Sequence, residues 1–182
     1  LTILEKNHSS IDLSNAIEIS QTNNIDIRPT WMPFSPWTNQ NDLIDIIKLI
    51  ENYKLRETVD PIQLTIKLLI PKNSLILQRS EINEYLNDYD KNSLSYMWDY
   101  KDEEVNKLQV SLFNYLLDTP DLDEHSQYLG MVKIIENMTQ SNLISDLNYS
   151  YKNVPKLSET WFCCAEPSQI QLDRIKTNTA LI

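Results

Sequence analysis

Glycine is almost absent from this chain. Gly130 stands alone in 182 residues, where average usage near 7 % would place roughly a dozen. Turns and helix ends that need a left-handed backbone must therefore be built from other residues. Asparagine is abundant here, and it tolerates that conformation best among the residues that carry a Cβ. Cysteine is nearly as scarce. The two present, Cys163 and Cys164, are adjacent, which excludes a disulfide framework and a CxxC zinc site and makes a cytoplasmic location the expectation. No apolar run reaches the ~20 residues of a membrane-spanning helix. No basic leader followed by an apolar stretch opens the sequence, so no secretory signal is expected. Positive charge is in deficit. The formal net charge of -10 argues against a protein that tracks nucleic-acid phosphates and against docking on an anionic membrane. It fits a solvated acidic surface.

What is present is an ordinary globular mixture, 41 % hydrophobic and 23 % charged, in a chain long enough for one domain with a substantial core. The first residue, Leu1, sits inside an apolar segment, so a partial chain is expected. Residues 1–4 read as the end of a strand, 10–23 as a helix, 25–31 as a strand, 40–53 as a helix capped by Thr38 or Asn39, and 62–70 as a strand stopped by Pro71. Leu43, Ile46, Ile47, Ile50 and Tyr53 give the second helix a well-spaced apolar side. The alternation of strand and helix implies a parallel sheet covered by helices. It fits an open sheet and a closed barrel equally.

The strand faces carry the next expectation. Period-two alternation puts Gln63, Thr65 and Lys67 on one face of the last strand and Ile62, Leu64, Ile66 and Leu68 on the other. Asp26, Arg28 and Thr30 share a face of the preceding strand, opposite Ile25 and Ile27. Parallel strands buried on both sides are apolar on both, so two neighbouring polar faces suggest a barrel interior that holds a polar ligand. After residue 79 the character changes. A polar, aromatic stretch is followed by predicted helices over 103–117 and 123–138, expected to pack as an antiparallel pair. Residues 148–155 read as a linker and 156–182 as a tail.

The tail contains Trp161-Phe162-Cys163-Cys164-Ala165-Glu166-Pro167, which resembles the end of the CUAEP/CCAEP-tail radical S-adenosylmethionine (SAM) family. Its second motif position, Cys164 here, is cysteine or selenocysteine in that family. Two further segments match in order. Arg28-Pro29-Thr30-Trp31-Met32-Pro33-Phe34-Ser35-Pro36-Trp37-Thr38 looks like the fifth-strand segment of the barrel, and Asp60-Pro61-Ile62-Gln63-Leu64-Thr65-Ile66-Lys67-Leu68-Leu69-Ile70-Pro71 like the sixth. Leu4-Glu5-Lys6-Asn7-His8 resembles the end of the fourth strand. Asn7 and Asn73 stand where glycine is expected, and Lys67 where arginine is usual, which puts a bidentate contact there in doubt.

The resemblance implies an α/β fold class: the C-terminal half of a partial (β/α)6 radical SAM barrel (a partial TIM barrel) over 1–79, a mainly helical extension over 80–155 and the CCAEP tail over 156–182. It implies an enzyme that, when intact, uses a 4Fe–4S cluster to cleave SAM and start radical chemistry on an unknown small-molecule or peptide substrate, with an electron donor such as flavodoxin or ferredoxin. That cluster needs three cysteines in a CxxxCxxC loop, and two adjacent cysteines cannot supply it. The cluster ligands are thus expected outside this sequence, and the chain alone is expected to be inactive.

The resemblance also orders the candidate residues. Cys163 and Cys164 read either as buried inert thiols or as a redox or soft-metal pair acting through a thiolate, with Glu166 a partner, a base, or the first-turn acid of a helix begun by Pro167. Arg28 and Lys67 suit the SAM carboxylate or a substrate anion, or else a structural ion pair with an acid such as Asp26. Glu5 and Lys6 end a strand, where a parallel barrel collects its ligand groups. His8 reads as a proton donor or a satisfied structural residue. Trp31, Phe34 and Trp37 read mainly as packing. A stand-alone thiol redox or soft-metal module on a degenerate barrel is the competing interpretation.

Overall fold

A computed structural model describes residues 4–144. Four helices frame them: α1 (Ser10–Thr22), α2 (Gln40–Asn52), α3 (Glu103–Asp118) and α4 (Glu124–Thr139). Between α2 and α3 lie the 3-10 helices Pro61–Thr65, Leu75–Gln78 and Ser80–Ile82 and an antiparallel hairpin of β1 (Leu86–Asp90) and β2 (Ser95–Trp98). Each α-helix falls within a residue or so of its predicted span, and each starts on a side-chain cap. Ser9 with Asp12 and Asn39 with Asp42 form capping boxes, and Asp102 and Asp123 accept from the Glu104 and Ser126 amides. The Ser9 hydroxyl and amide hold the Asp12 carboxyl below its ordinary range, and Ser126 does the same for Asp123. Thr38, the alternative cap of α2, instead donates to the Pro33 carbonyl at 2.9 Å and fixes the proline-rich turn.

Two strands expected from the sequence are not formed. Residues 25–31 belong to no strand, and the first part of the strand expected over 62–70 lies in the 3-10 helix Pro61–Thr65. Asp60 accepts from the Ile62 amide at 3.1 Å and Pro61 occupies the first turn, which is a helix start rather than a strand start. The alternating faces disappear with the strand. Ile62, Gln63, Leu64 and Thr65 are all buried, while Ile25 is 59 % exposed. Among the described residues the only parallel pairing is one bridge, Phe34 to Lys67, with the Phe34 amide on the Ile66 carbonyl at 3.2 Å and the Leu68 amide on the Phe34 carbonyl at 2.7 Å. The polar, aromatic stretch that opens the mainly helical extension carries the 3-10 helix Ser80–Ile82 and then the β1–β2 hairpin, and β2 also bridges Pro71 in antiparallel sense.

The main core crosses the expected division at residue 79. Ile17 of α1, Leu43, Ile47 and Ile50 of α2, and Leu64 join Val105, Leu108 and Leu112 of α3 and Tyr128, Met131, Val132 and Ile135 of α4 in one cluster. A second cluster, Leu68, Ile70, Ile82 and Trp98, seats the hairpin. The single glycine lies at the α3–α4 contact. A Cβ on Gly130 would overlap the Tyr115 hydroxyl and ring edge, so the bare Cα leaves room for the Tyr115 side chain there. α1 turns Ile17 into the core, but its Ile11 and Ile19 are 70 % and 64 % exposed.

The missing glycines are replaced at helix ends. Asn24 after α1, Lys54 after α2 and Gln140 after α4 all have positive φ, as do Asn7, Asn73, Glu5 and Leu94. At α1 the Ile25 amide bonds the Ser20 carbonyl and the Asn24 amide the Gln21 carbonyl; at α2 Leu55 bonds Ile50 and Lys54 bonds Glu51. These are Schellman closures, whose left-handed residue is normally glycine. Lys54 carries the Cβ penalty of that conformation, about 1–2 kcal/mol. Lys54→Gly is therefore expected to stabilise the protein by about 1 kcal/mol, after the greater unfolded-state freedom of glycine is subtracted. Thermal unfolding should register a rise of about 2–4 °C.

Candidate functional site

The segments 28–38 and 60–71 lie side by side in parallel sense. Arg28 meets Asp60 at 2.9 Å and the Trp31 amide donates to Gln63 Oε1 at 3.0 Å, each pair 32 residues apart. The Phe34–Lys67 bridge continues the parallel run, one residue out of that register. The contacts at the first two steps are made by side chains because the 3-10 helix turns its own backbone away from its neighbour. Gln63 is fully buried, and its amide replaces a ladder hydrogen bond. Thr65 donates to Ile62 O at 2.8 Å, and Gln109 of α3 reaches Thr65 O at 3.2 Å. This seam brings together most of the polar residues expected to face a ligand.

Its two cations have separate environments. Arg28 is partnered by Asp60, not by Asp26, which is exposed. Asp60 thus neutralises Arg28 and caps the 3-10 helix at once. Lys67 Nζ sits 4.8 Å from the Trp98 ring centroid and 5.4 Å from that of Tyr100. Those rings meet each other edge-on at 4.8 Å, and Tyr100 meets Phe34 edge-on at 6.3 Å. Trp98 Nε1 donates to Leu68 O at 2.8 Å, so the aromatic wall is fixed to the segment that carries Lys67. An ammonium over these faces is attracted by the ring quadrupoles. Phe34 packs in the core, and Trp37 meets Tyr85 edge-on.

The remaining candidates lie elsewhere. Glu5 pairs with Arg79, tying the start of the described chain to the 3-10 segment, and its side chain is 72 % exposed. Lys6 is exposed, and its carbonyl is 2.8 Å from His8 Nδ1. His8 therefore has a local backbone partner. Cys163, Cys164 and Glu166 lie outside the described residues, and His125 sits near the start of α4. No group of three or more His, Cys, Asp or Glu side chains that could hold a metal ion occurs among the described residues. No described helix is long and apolar enough to cross a membrane. The shifted carboxyls mark turns and caps: amide and hydroxyl donors of Asn92 and Ser93 lower Asp90, and its own backbone amide with the Ser80 hydroxyl lowers Glu81.

Asp60, Trp98 and Tyr100 were missed as site neighbours by sequence reasoning. Asp60-Pro61 carried a usable signal, an N-cap followed by proline at the first helical position. Nothing in the spacing of Trp98 and Tyr100 pointed to Lys67. Replacing Lys67 by Met, which keeps length and apolar bulk, removes the cation from the rings. Lys67→Met is expected to destabilise the fold by about 1 kcal/mol, read as a lower urea midpoint with an unchanged m-value.

No protein-family model matches the chain, and no curated protein or solved structure matches it.

Proposed function

We propose that this chain is the C-terminal part of a cytoplasmic radical SAM enzyme of the CCAEP-tail kind, whose intact form uses a 4Fe–4S cluster to cleave SAM and begin radical chemistry on an unknown substrate. The observation that carries this reading is the ordered set of matching segments ending in Cys163-Cys164-Ala165-Glu166-Pro167. The parallel alignment of 28–34 with 60–67 supports it, because consecutive strands of a (β/α)6 barrel are parallel neighbours. In this reading the partial barrel is completed by sequence outside these 182 residues, which must also bring the CxxxCxxC cysteines. An electron donor such as flavodoxin or ferredoxin serves the intact enzyme.

The residues described do not fit a cluster or a SAM-carboxylate site by themselves. Arg28 is engaged by Asp60 and Lys67 by Trp98 and Tyr100, and the described residues hold no metal-ligand group. This part of the chain orients: the seam keeps two segments parallel, and the aromatic wall holds the half-buried Lys67 in place. Cys163 and Cys164 are assigned a thiol role separate from holding the cluster, acting through a thiolate.

The test reads the coding sequence upstream of Leu1 and then purifies the complete polypeptide without oxygen. An in-frame CxxxCxxC, iron and sulfide in the purified protein, and reductant-dependent 5′-deoxyadenosine formation are expected. A Cys163→Ser/Cys164→Ser variant should keep the cluster and SAM cleavage. A start codon immediately before Leu1, or no cluster after reconstitution, contradicts the proposal and favours a stand-alone thiol module.

A further inference from the structure

We infer that the seam between 28–34 and 60–67 takes up neutral oxygen acceptors at two buried donors, Gln63 Nε2 and Trp31 Nε1. The inference is independent of the radical SAM reading. Gln63 is fully buried, and its Oε1 is committed to the Trp31 amide. That bond fixes the orientation of the side-chain amide, so Nε2 cannot exchange places with Oε1 without losing it. Gln63 Nε2 and Trp31 Nε1 are both buried and meet no acceptor among the described residues.

Two such donors belong to one hydrogen-bonded residue pair, at the centre of the only parallel contact among the described residues. Buried amide and indole N–H groups nearly always have partners, because leaving one unmade forfeits the full cost of desolvation. The ligand chemistry follows from the lining. Both donors are uncharged, and Arg28, the cation at the head of the seam, is already neutralised by Asp60 at 2.9 Å. A carbonyl, hydroxyl or water oxygen fits this environment. A free anion does not, because it would lack a counter-charge in a buried place.

The experiment replaces Trp31 in the whole chain with benzothienylalanine, which keeps the ring shape and lacks the N–H. Denaturant unfolding, native mass spectrometry and water-to-protein NMR transfer at the Gln63 side-chain amide are then recorded. The proposal expects the isostere to lower the folding equilibrium constant roughly tenfold, the worth of one hydrogen bond. Excess mass that is lost on unfolding identifies a small ligand. Transfer from a long-lived water to the Gln63 amide, with no excess mass, identifies an internal water. An isostere as stable as the parent or more stable, with neither excess mass nor such transfer, overturns the proposal.

Discussion

An ion pair inside the core constrains the rest of this structure. Glu51, in the last turn of α2, receives a fork of two bonds from Arg56, one of them Arg56 Nε to Oε1 at 2.8 Å, and a third from the Tyr128 hydroxyl of α4 at 2.7 Å. The Glu51 and Arg56 side chains are only 7 % and 3 % exposed. Charges so buried are tolerated only when geometry and additional hydrogen bonds compensate for lost hydration. The chain must leave α2 in a way that brings a residue five positions later back over Glu51. The left-handed Lys54 does this by closing the helix on itself. A strained residue and a buried charge pair are thus one arrangement, and the Tyr128 bond fixes α4 to it.

From Arg56 the constraint passes to the seam. Val59 is buried in the core cluster, and Asp60 follows at once to cap the 3-10 helix and meet Arg28. The direction in which the chain leaves α2 therefore sets where Asp60, Gln63 and Lys67 fall against 28–34. Most of the alignment is made by side chains: an ion pair at 28/60 and an amide at 31/63, with backbone bonds only around Phe34. Such a seam is specific in register without being a sheet. Lys67, at its far end, is held over Trp98 and Tyr100, which couples the hairpin to the same segment.

The helices were legible because period and punctuation agreed. Asn39 and Asp123 stand immediately before well-spaced apolar sets, and both cap the helices they precede. The glycine deficit was legible too, since Asn7 and Asn73, standing where glycine was expected, adopt positive φ. The strand expected over 62–70 was misread for one reason. Alternating apolar residues from Ile62 to Leu68 satisfy a period of two, yet Asp60-Pro61 starts a 3-10 turn and all residues from Pro61 to Thr65 are buried, so tertiary packing overrides the alternation. The hairpin was invisible because Asn87, Asp88 and Asp90 of β1 give no apolar alternation. At the candidate site, Arg28 and Lys67 were found by residue type. Their partners were not, because contacts made far along the chain leave no local trace.

The central claim is that Glu51 and Arg56 act as one buried unit. A double-mutant cycle with Glu51→Met, Arg56→Met and the pair together, followed by urea unfolding, tests it directly. Each single variant removes the Glu51–Arg56 fork from around a buried charge and should lose about 3–5 kcal/mol, while the double variant should lose less than the two single losses added together. That outcome corresponds to a coupling of several kcal/mol. Single losses that merely add, within about 0.5 kcal/mol, would contradict the account.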